Sequence, residues 1–178
     1  MTKSPPILPE RKLERVLKIA RANSLGVLVC SGASLALSVA AGDGVFAFFS
    51  VLALICGSME RQGQRRLRDG SIGGLQWLVG AQGCLYTVLI GYALWRLNYF
   101  DPLAHWDQVP QVLRDRFDAR LIELGFTPET DRGWVLHSSN VLFVTVLVIV
   151  GTFYQGGLAL WYALQRKAVA AALYGNAE

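Results

Sequence analysis

The sequence predicts an all-α, polytopic membrane protein with four transmembrane helices, and three observations carry that reading. The 32-residue run from Trp134 to Gln165 contains no Asp, Glu, Lys or Arg and is bracketed by Arg132 and Arg166. A helix needs about 20 apolar residues to cross a hydrocarbon core of about 30 Å, so this run spans with turns to spare. The 17 basic and 13 acidic residues of the 178-residue chain fall almost entirely outside four stretches, 22–42, 44–59, 70–95 and 133–165. Hydrophobic residues make up 53% of the chain and mean hydropathy is +0.36. Such blocks are the mark of helical spans, whereas barrel strands would run about ten residues with alternating polarity. The expected spans are 22–42, 44–59, 71–96 and 134–165, forming a single transmembrane bundle over 1–178, with an outer loop at 98–132.

The chain opens with a polar, proline-bearing tail and then a basic amphipathic run, Glu10 to Ala22. That run could lie on the membrane surface, but no helix breaker separates it from the first span, which favours one continuous helix. A cleaved signal peptide is disfavoured, because the basic region is long and the apolar run exceeds the usual 7–15 residues. Span one places Gly26, Cys30, Ala33, Ala36 and Ala40 at steps of three and four, a small-residue face of the kind that lets helices approach in lipid. Its simplest role is a contact inside the bundle.

Ala41-Gly42-Asp43-Gly44 reads as a tight turn. Span two then has sixteen uncharged residues, about 24 Å of helix, and would cross by letting Glu60 and Arg61 snorkel. A re-entrant hairpin of spans one and two is the rival arrangement. Helix should continue into the polar segment Glu60 to Asp69 and stop at Gly70. Span three carries Gln76, Gly80, Gly83, Thr87 and Gly91 on one face, the strongest small-residue stripe in the chain. Trp77 against Trp95, Tyr99, Trp106 and Trp134, with Trp161 and Tyr162, suit two interfacial belts.

In the outer loop, Pro110 to Leu124 reads as an amphipathic helix with Val112, Leu113, Phe117, Leu121 and Leu124 as its apolar stripe and Gly125 as its stop. Thr127-Pro128-Glu129 has the order of a cap, a first helical position and a first-turn acid. Gly133 is placed to interrupt that helix before span four. After Lys167 a short helix is expected to end at Gly175.

Basic residues set the expected orientation. Six lie in the N-terminal segment, four arginines between Arg61 and Arg68, and Arg166 and Lys167 follow span four, whereas the second outer loop sets its arginines against seven acids. Both termini are therefore expected in the cytoplasm, in a plasma (inner) membrane protein. The net charge of +4 has the same explanation, and no nucleic-acid partner is expected. Cys30, Cys56 and Cys84 all lie in apolar stretches without a CxxC, the pattern of small buried residues.

Candidate chemistry is sparse. No charged residue lies deep within an expected span, which argues against ion-coupled carriers. Gln82 and Gln155 each lie about 15 Å from the cytoplasmic end of their spans, near the midplane. Tyr86 and Tyr154 neighbour them, and Ser34 and Ser50 have similar depth. Such groups serve either as hydrogen-bond glue between helices, each worth about 0.6–2 kcal/mol, or as a polar pore lining repeated around an oligomer. His105 and His137, near Asp101, Asp107, Glu129 and Asp131, match no metal-ligand spacing, and no metal or cofactor is expected. No nucleophile elbow, phosphate loop or HExxH motif is present, so the chain is not expected to be an enzyme. The expected partners are membrane lipids and further copies of the chain through Gly26, Ala33, Gly80, Gly83 and Gly91, with a partner protein in the alternative reading. The leading functional expectation is a homo-oligomeric, channel-like protein for ions or small solutes. The alternative is a non-conducting accessory or scaffold protein.

Overall fold

A computed structural model describes residues 9–104 and 106–175, the side chain of Gln108 excepted. Among these residues there is no strand. The helices are α1 (Pro9–Ala41), α2 (Gly44–Arg68), α3 (Gly73–Tyr99), α4 (Gln111–Glu123), α5 (Pro128–Gly151), α6 (Gly157–Leu164) and α7 (Arg166–Tyr174). A 3₁₀ turn occupies Trp106–Gln108, and a π-helical turn, Thr152–Gly156, joins α5 to α6. Four helices are long and apolar enough to cross a membrane: α1, α2, α3 and the continuous Pro128–Leu164. The chain thus has the helices of a multi-pass membrane protein.

The basic N-terminal run and span one are one helix of 33 residues, about 50 Å long. It ends where Gly42 takes φ 71°, so that the Asp43 amide can reach back to Ser38 O at 2.9 Å. Asp43 then caps α2, its side chain accepting from the Phe46 amide at 2.8 Å. Helix α2 has 25 residues, about 37 Å, its sixteen uncharged residues continuing as helix into the arginine-bearing segment as expected. It stops with the same wrap: Gly70 at φ 83°, and the Ser71 amide on Arg66 O at 2.9 Å.

The chain forms two compact units. The first comprises the residues up to Leu89 and from Gly151 onward, and the second is Ile90–Val150. In the first, a core of buried side chains gathers toward the arginine-bearing end of α2. Val16 and Ala20 come from α1, Leu67 from α2, Leu75 and Leu78 from α3, Tyr162 from α6 and Val169 from α7. Away from that core large apolar side chains face outward on α1 and α2, among them Val29, Leu37, Val39, Phe48, Val51 and Ile55. An apolar exterior over a partly polar interior is the inverse of a water-soluble domain and suits a hydrocarbon surround.

Close helix approach in this unit depends on glycines other than those singled out from the sequence. A Cβ at Gly63 would lie 2.9 Å from Gly74 O, and one at Gly74 would lie 2.5 Å from Gly63 O and 2.6 Å from Leu67 N. The two residues let the backbones of α2 and α3 meet just before and after their turn. Gly57 sits similarly against Leu28, and Gly151 against Leu89. By contrast, a Cβ at Gly26, Gly80 or Gly83 would meet nothing within 4 Å, and Ala33 is exposed. The bundle-internal contact expected of the span-one face is therefore absent from the first unit; Gly26, Ala33, Gly80 and Gly83 point outward.

In the second unit, Thr127 and Asp131 start α5: the Thr127 amide donates to Asp131 Oδ2 at 2.8 Å, and the Asp131 amide to Thr127 O at 2.8 Å. Helix α5 continues through Gly133 without the expected interruption, and a Cβ there would press on Leu103 at 3.1 Å. Arg132 holds Asp118 of α4 through two bonds, 3.1 and 2.7 Å, with its guanidinium over the Trp106 ring. Phe117 meets Trp106 and Leu121 is buried, but Val112, Leu113 and Leu124 of the expected apolar stripe are exposed. Arg96, in the last turn of α3, bonds Asn140 Oδ1 at 2.6 Å and Tyr92 Oη at 2.8 Å, between the rings of Phe100 and Phe143.

Candidate functional site

The buried face of α2 reads Cys56, Gly57, Glu60, Gly63, Gln64 and Leu67, a helical repeat that includes a carboxylate. Glu60 was expected to snorkel outward. Instead it is 1% exposed and its two oxygens are held by donors from two other helices. Asn23 Nδ2 of α1 donates to Glu60 Oε2 at 2.7 Å, and Tyr162 Oη of α6 donates to Glu60 Oε1 at 3.0 Å. Tyr154 Oη, from the π turn, donates to Asn23 Oδ1 at 2.8 Å. Every bond in this chain points toward Glu60, which fixes the Asn23 amide with its NH2 on the carboxylate and its oxygen on the phenol. Glu60 is thus enclosed by helices although it is the first charged residue after the uncharged part of span two. Arg96 is likewise bonded by side chains at the end of span three.

Gln82 of α3 also lies beside the Glu60 carboxylate. Its Oε1 is buried with no partner. Gln155, one residue beyond Tyr154, likewise has a buried Oε1 with no partner. The side chains of both glutamines are nearly fully enclosed, at 1% and 8% exposure. Leaving a buried acceptor unsatisfied costs about 1–3 kcal/mol, so the Gln82 oxygen beside the Glu60 carboxylate describes a place for a cation or a hydrogen-bond donor rather than finished packing.

The π turn is what brings Tyr154 to this place. A π turn takes one extra residue per turn and recurs where helices bear function. Tyr154 is 55% exposed, and with Asn23 it forms the polar part of a groove of about 440 Å³ otherwise lined by Ile19, Ala22, Gly26, Val27 and Cys30. The buried chain therefore reaches the surface through one phenol.

Of the residues singled out from the sequence, Gln82 and Gln155 belong to this unit's interior, enclosed by helices of a single chain. Tyr86 bonds Thr152 Oγ1 at 3.1 Å at the edge of the π turn. Ser34 lies eleven residues beyond Asn23 on α1, about 16 Å along the axis, and does not join the cluster. Gly91 and His137 belong to the second unit, where His137 is exposed, and His105 lies outside the described residues. No group of three or more His, Cys, Asp or Glu side chains converges among the described residues. Asn23, Glu60 and Tyr162 were missed. Their signal was helical phase: Cys56, Glu60, Gly63 and Leu67 recur at four, three and four residues, while Arg61, Arg65 and Arg68 take the other side.

Another meeting that spacing alone did not suggest is Cys56 with Cys84, sulfur to sulfur at 3.0 Å across α2 and α3, both as free thiols. They lie just beyond Glu60 and Gln82 along the same two helices. No family model, curated protein or solved structure matches the chain.

Proposed function

We propose that the protein is a channel-like membrane transport protein, passing small monovalent cations along a polar path inside each protomer with Glu60 at its centre. One observation carries this reading. Glu60 is a buried carboxylate in a membrane-spanning helix, beside the enclosed Gln82 amide, whose oxygen lacks a donor. A carboxylate in such a position is costly and is characteristic of ion pathways. Carboxylate and amide oxygens suit hard cations. The groove at Asn23 and Tyr154 offers the entrance. The path lies within one chain, so Gln82 and Gln155 act here as ligands of an internal site, in place of a ring between subunits.

Assembly into a homo-oligomer belongs to the same proposal, supported by the outward-facing small residues Gly26, Ala33 and Gly83. The test is flux in proteoliposomes loaded with potassium or sodium, alongside the mass of the intact complex by native mass spectrometry. Wild type should raise cation flux above protein-free vesicles, and Glu60→Gln, which keeps the side chain's size, should remove most of that increase. Wild-type vesicles that leak no faster than empty ones would defeat the reading. Co-purification of a stoichiometric second protein would then favour the accessory or scaffold role.

A further inference from the structure

A second groove lies on the first unit, away from Glu60, and its chemistry is different. It has a volume of about 440 Å³ and is lined by Ile72, Leu75, Gln76, Val79, Gly80 and Ala163, with Arg166. Its walls are apolar apart from Gln76 and Arg166. Arg166 is the first charged residue after the 32-residue uncharged run, so sequence alone puts its guanidinium at headgroup level. From Ile72 to Gly80 the α3 wall extends eight residues, about 12 Å, toward the membrane interior. Gly80 keeps that wall open, since no atom lies within 4 Å of where its Cβ would be.

Arg166 is exposed and forms no ion pair among the described residues. Exposed Lys167 follows it directly, and the nearest acid in sequence after Asp131 is the C-terminal Glu178. The mouth of the groove is therefore a cation without a counter-ion, and the trough behind it is hydrocarbon-like. A water-soluble anion would gain nothing from the trough, and a neutral lipid nothing from the guanidinium.

We propose that this groove seats a phospholipid with a net-negative headgroup. The phosphate lies on Arg166 with help from the Gln76 amide, and one acyl chain lies against Val79, Gly80 and Ala163. A guanidinium forms paired hydrogen bonds with phosphate, and juxtamembrane basic residues draw anionic lipid. The seat does not depend on transport through the Glu60 site.

Native mass spectrometry of the full chain in detergent tests it, with phosphatidylglycerol and phosphatidylcholine of matched acyl chains added in turn. Wild type should retain phosphatidylglycerol about fivefold better than phosphatidylcholine, the preference expected of one basic side chain. Arg166→Gln should bring the two lipids level. Gly80→Leu, which fills the trough, should lower retention of both, and Ala163→Phe serves the same purpose from the opposite wall should the first variant not fold. Glycerol phosphate at equal concentration should fail to displace the lipid. Equal retention of the two lipids by wild type would overturn the proposal. So would a preference untouched by Arg166→Gln and by both trough variants, or displacement by glycerol phosphate alone.

Discussion

Adding one methyl group separates the two kinds of glycine in this chain. At Gly74 a Cβ would stand 2.5 Å from Gly63 O and 2.6 Å from Leu67 N, both backbone atoms that cannot swing aside. Ordinary contact begins near 3.4 Å, so Gly74→Ala must part α2 and α3 by close to 1 Å at their crossing. Overpacking costs about 1–3 kcal/mol, and an immovable backbone places this site at the upper end. Alanine returns about 1 kcal/mol through its better helix propensity. The expected net loss is about 2 kcal/mol, which for a chain of this length lowers the unfolding midpoint by about 4–8 °C. Gly83 is on the same helix but has nothing within 4 Å of its Cβ position. Gly83→Ala should keep only the propensity gain, raising the midpoint by a few degrees. The assay is thermal unfolding in mild detergent followed by tryptophan fluorescence, with subunit association measured separately. If Gly74→Ala is tolerated as well as Gly83→Ala, the α2–α3 crossing is not where these distances put it, and the packing argument fails.

Other consequences can be checked more briefly. Mild copper–phenanthroline oxidation should join Cys56 to Cys84 within one chain, since their sulfurs lie 3.0 Å apart, while exposed Cys30 stays open to alkylation; peptide mapping that finds Cys30 in the bridge would contradict the helix arrangement. Asp118→Ala removes both bonds from Arg132, and because the pair is about one-quarter exposed the loss should be about 1 kcal/mol, seen as faster amide exchange in α4 and not in α2. Asn23→Leu leaves Glu60 Oε2 and Tyr154 Oη without their partner and should cost about 1–3 kcal/mol, whereas Tyr154→Phe, at a half-exposed phenol, should cost under 1 kcal/mol; equal effects would mean the chain of bonds is not ordered as described. A fluorescent protein fused after Glu178 should fold and glow if the C-terminus is cytoplasmic, and a periplasmic phosphatase at the same point should stay inactive; the reverse pattern would refute the orientation.

Much of the scaffold was legible because its signals are local. Charge-free blocks marked the spans, Gly42-Asp43 marked a turn, and Thr127-Pro128 marked a start, each a matter of residues within one turn of each other. Helix α4 was placed within a residue at each end for the same reason. What could not be read was partnership across the bundle. Gly26, Gly80 and Gly83 form tidy stripes, yet the crossing relies on Gly63 and Gly74, which flank a turn and show no stripe at all. Gln82 was found because an amide in an apolar run is conspicuous. Glu60 was not, because a carboxylate next to arginines resembles a membrane boundary. Only its phase with Cys56, Gly63 and Leu67 showed that it faced inward, and only the fold could supply Asn23 and Tyr162, 37 and 102 residues away in sequence.

The π turn has a consequence for how this gene can change over time. Each residue of an α-helix advances the side chains by about 100°. A wide turn at Thr152–Gly156 absorbs one residue that a regular helix would not, and the positions of Gly151 against Leu89 before it and Tyr162 on Glu60 after it both depend on that absorption. Deleting a single codon there would let the helix regularise and swing Tyr162 and Val169 out of the core together, although every remaining residue would be unchanged in kind. Substitutions within the segment alter one side chain each. The fourth span should therefore drift in composition while its length between Gly151 and Tyr162 stays locked, a constraint of phase that no single-site scan would reveal.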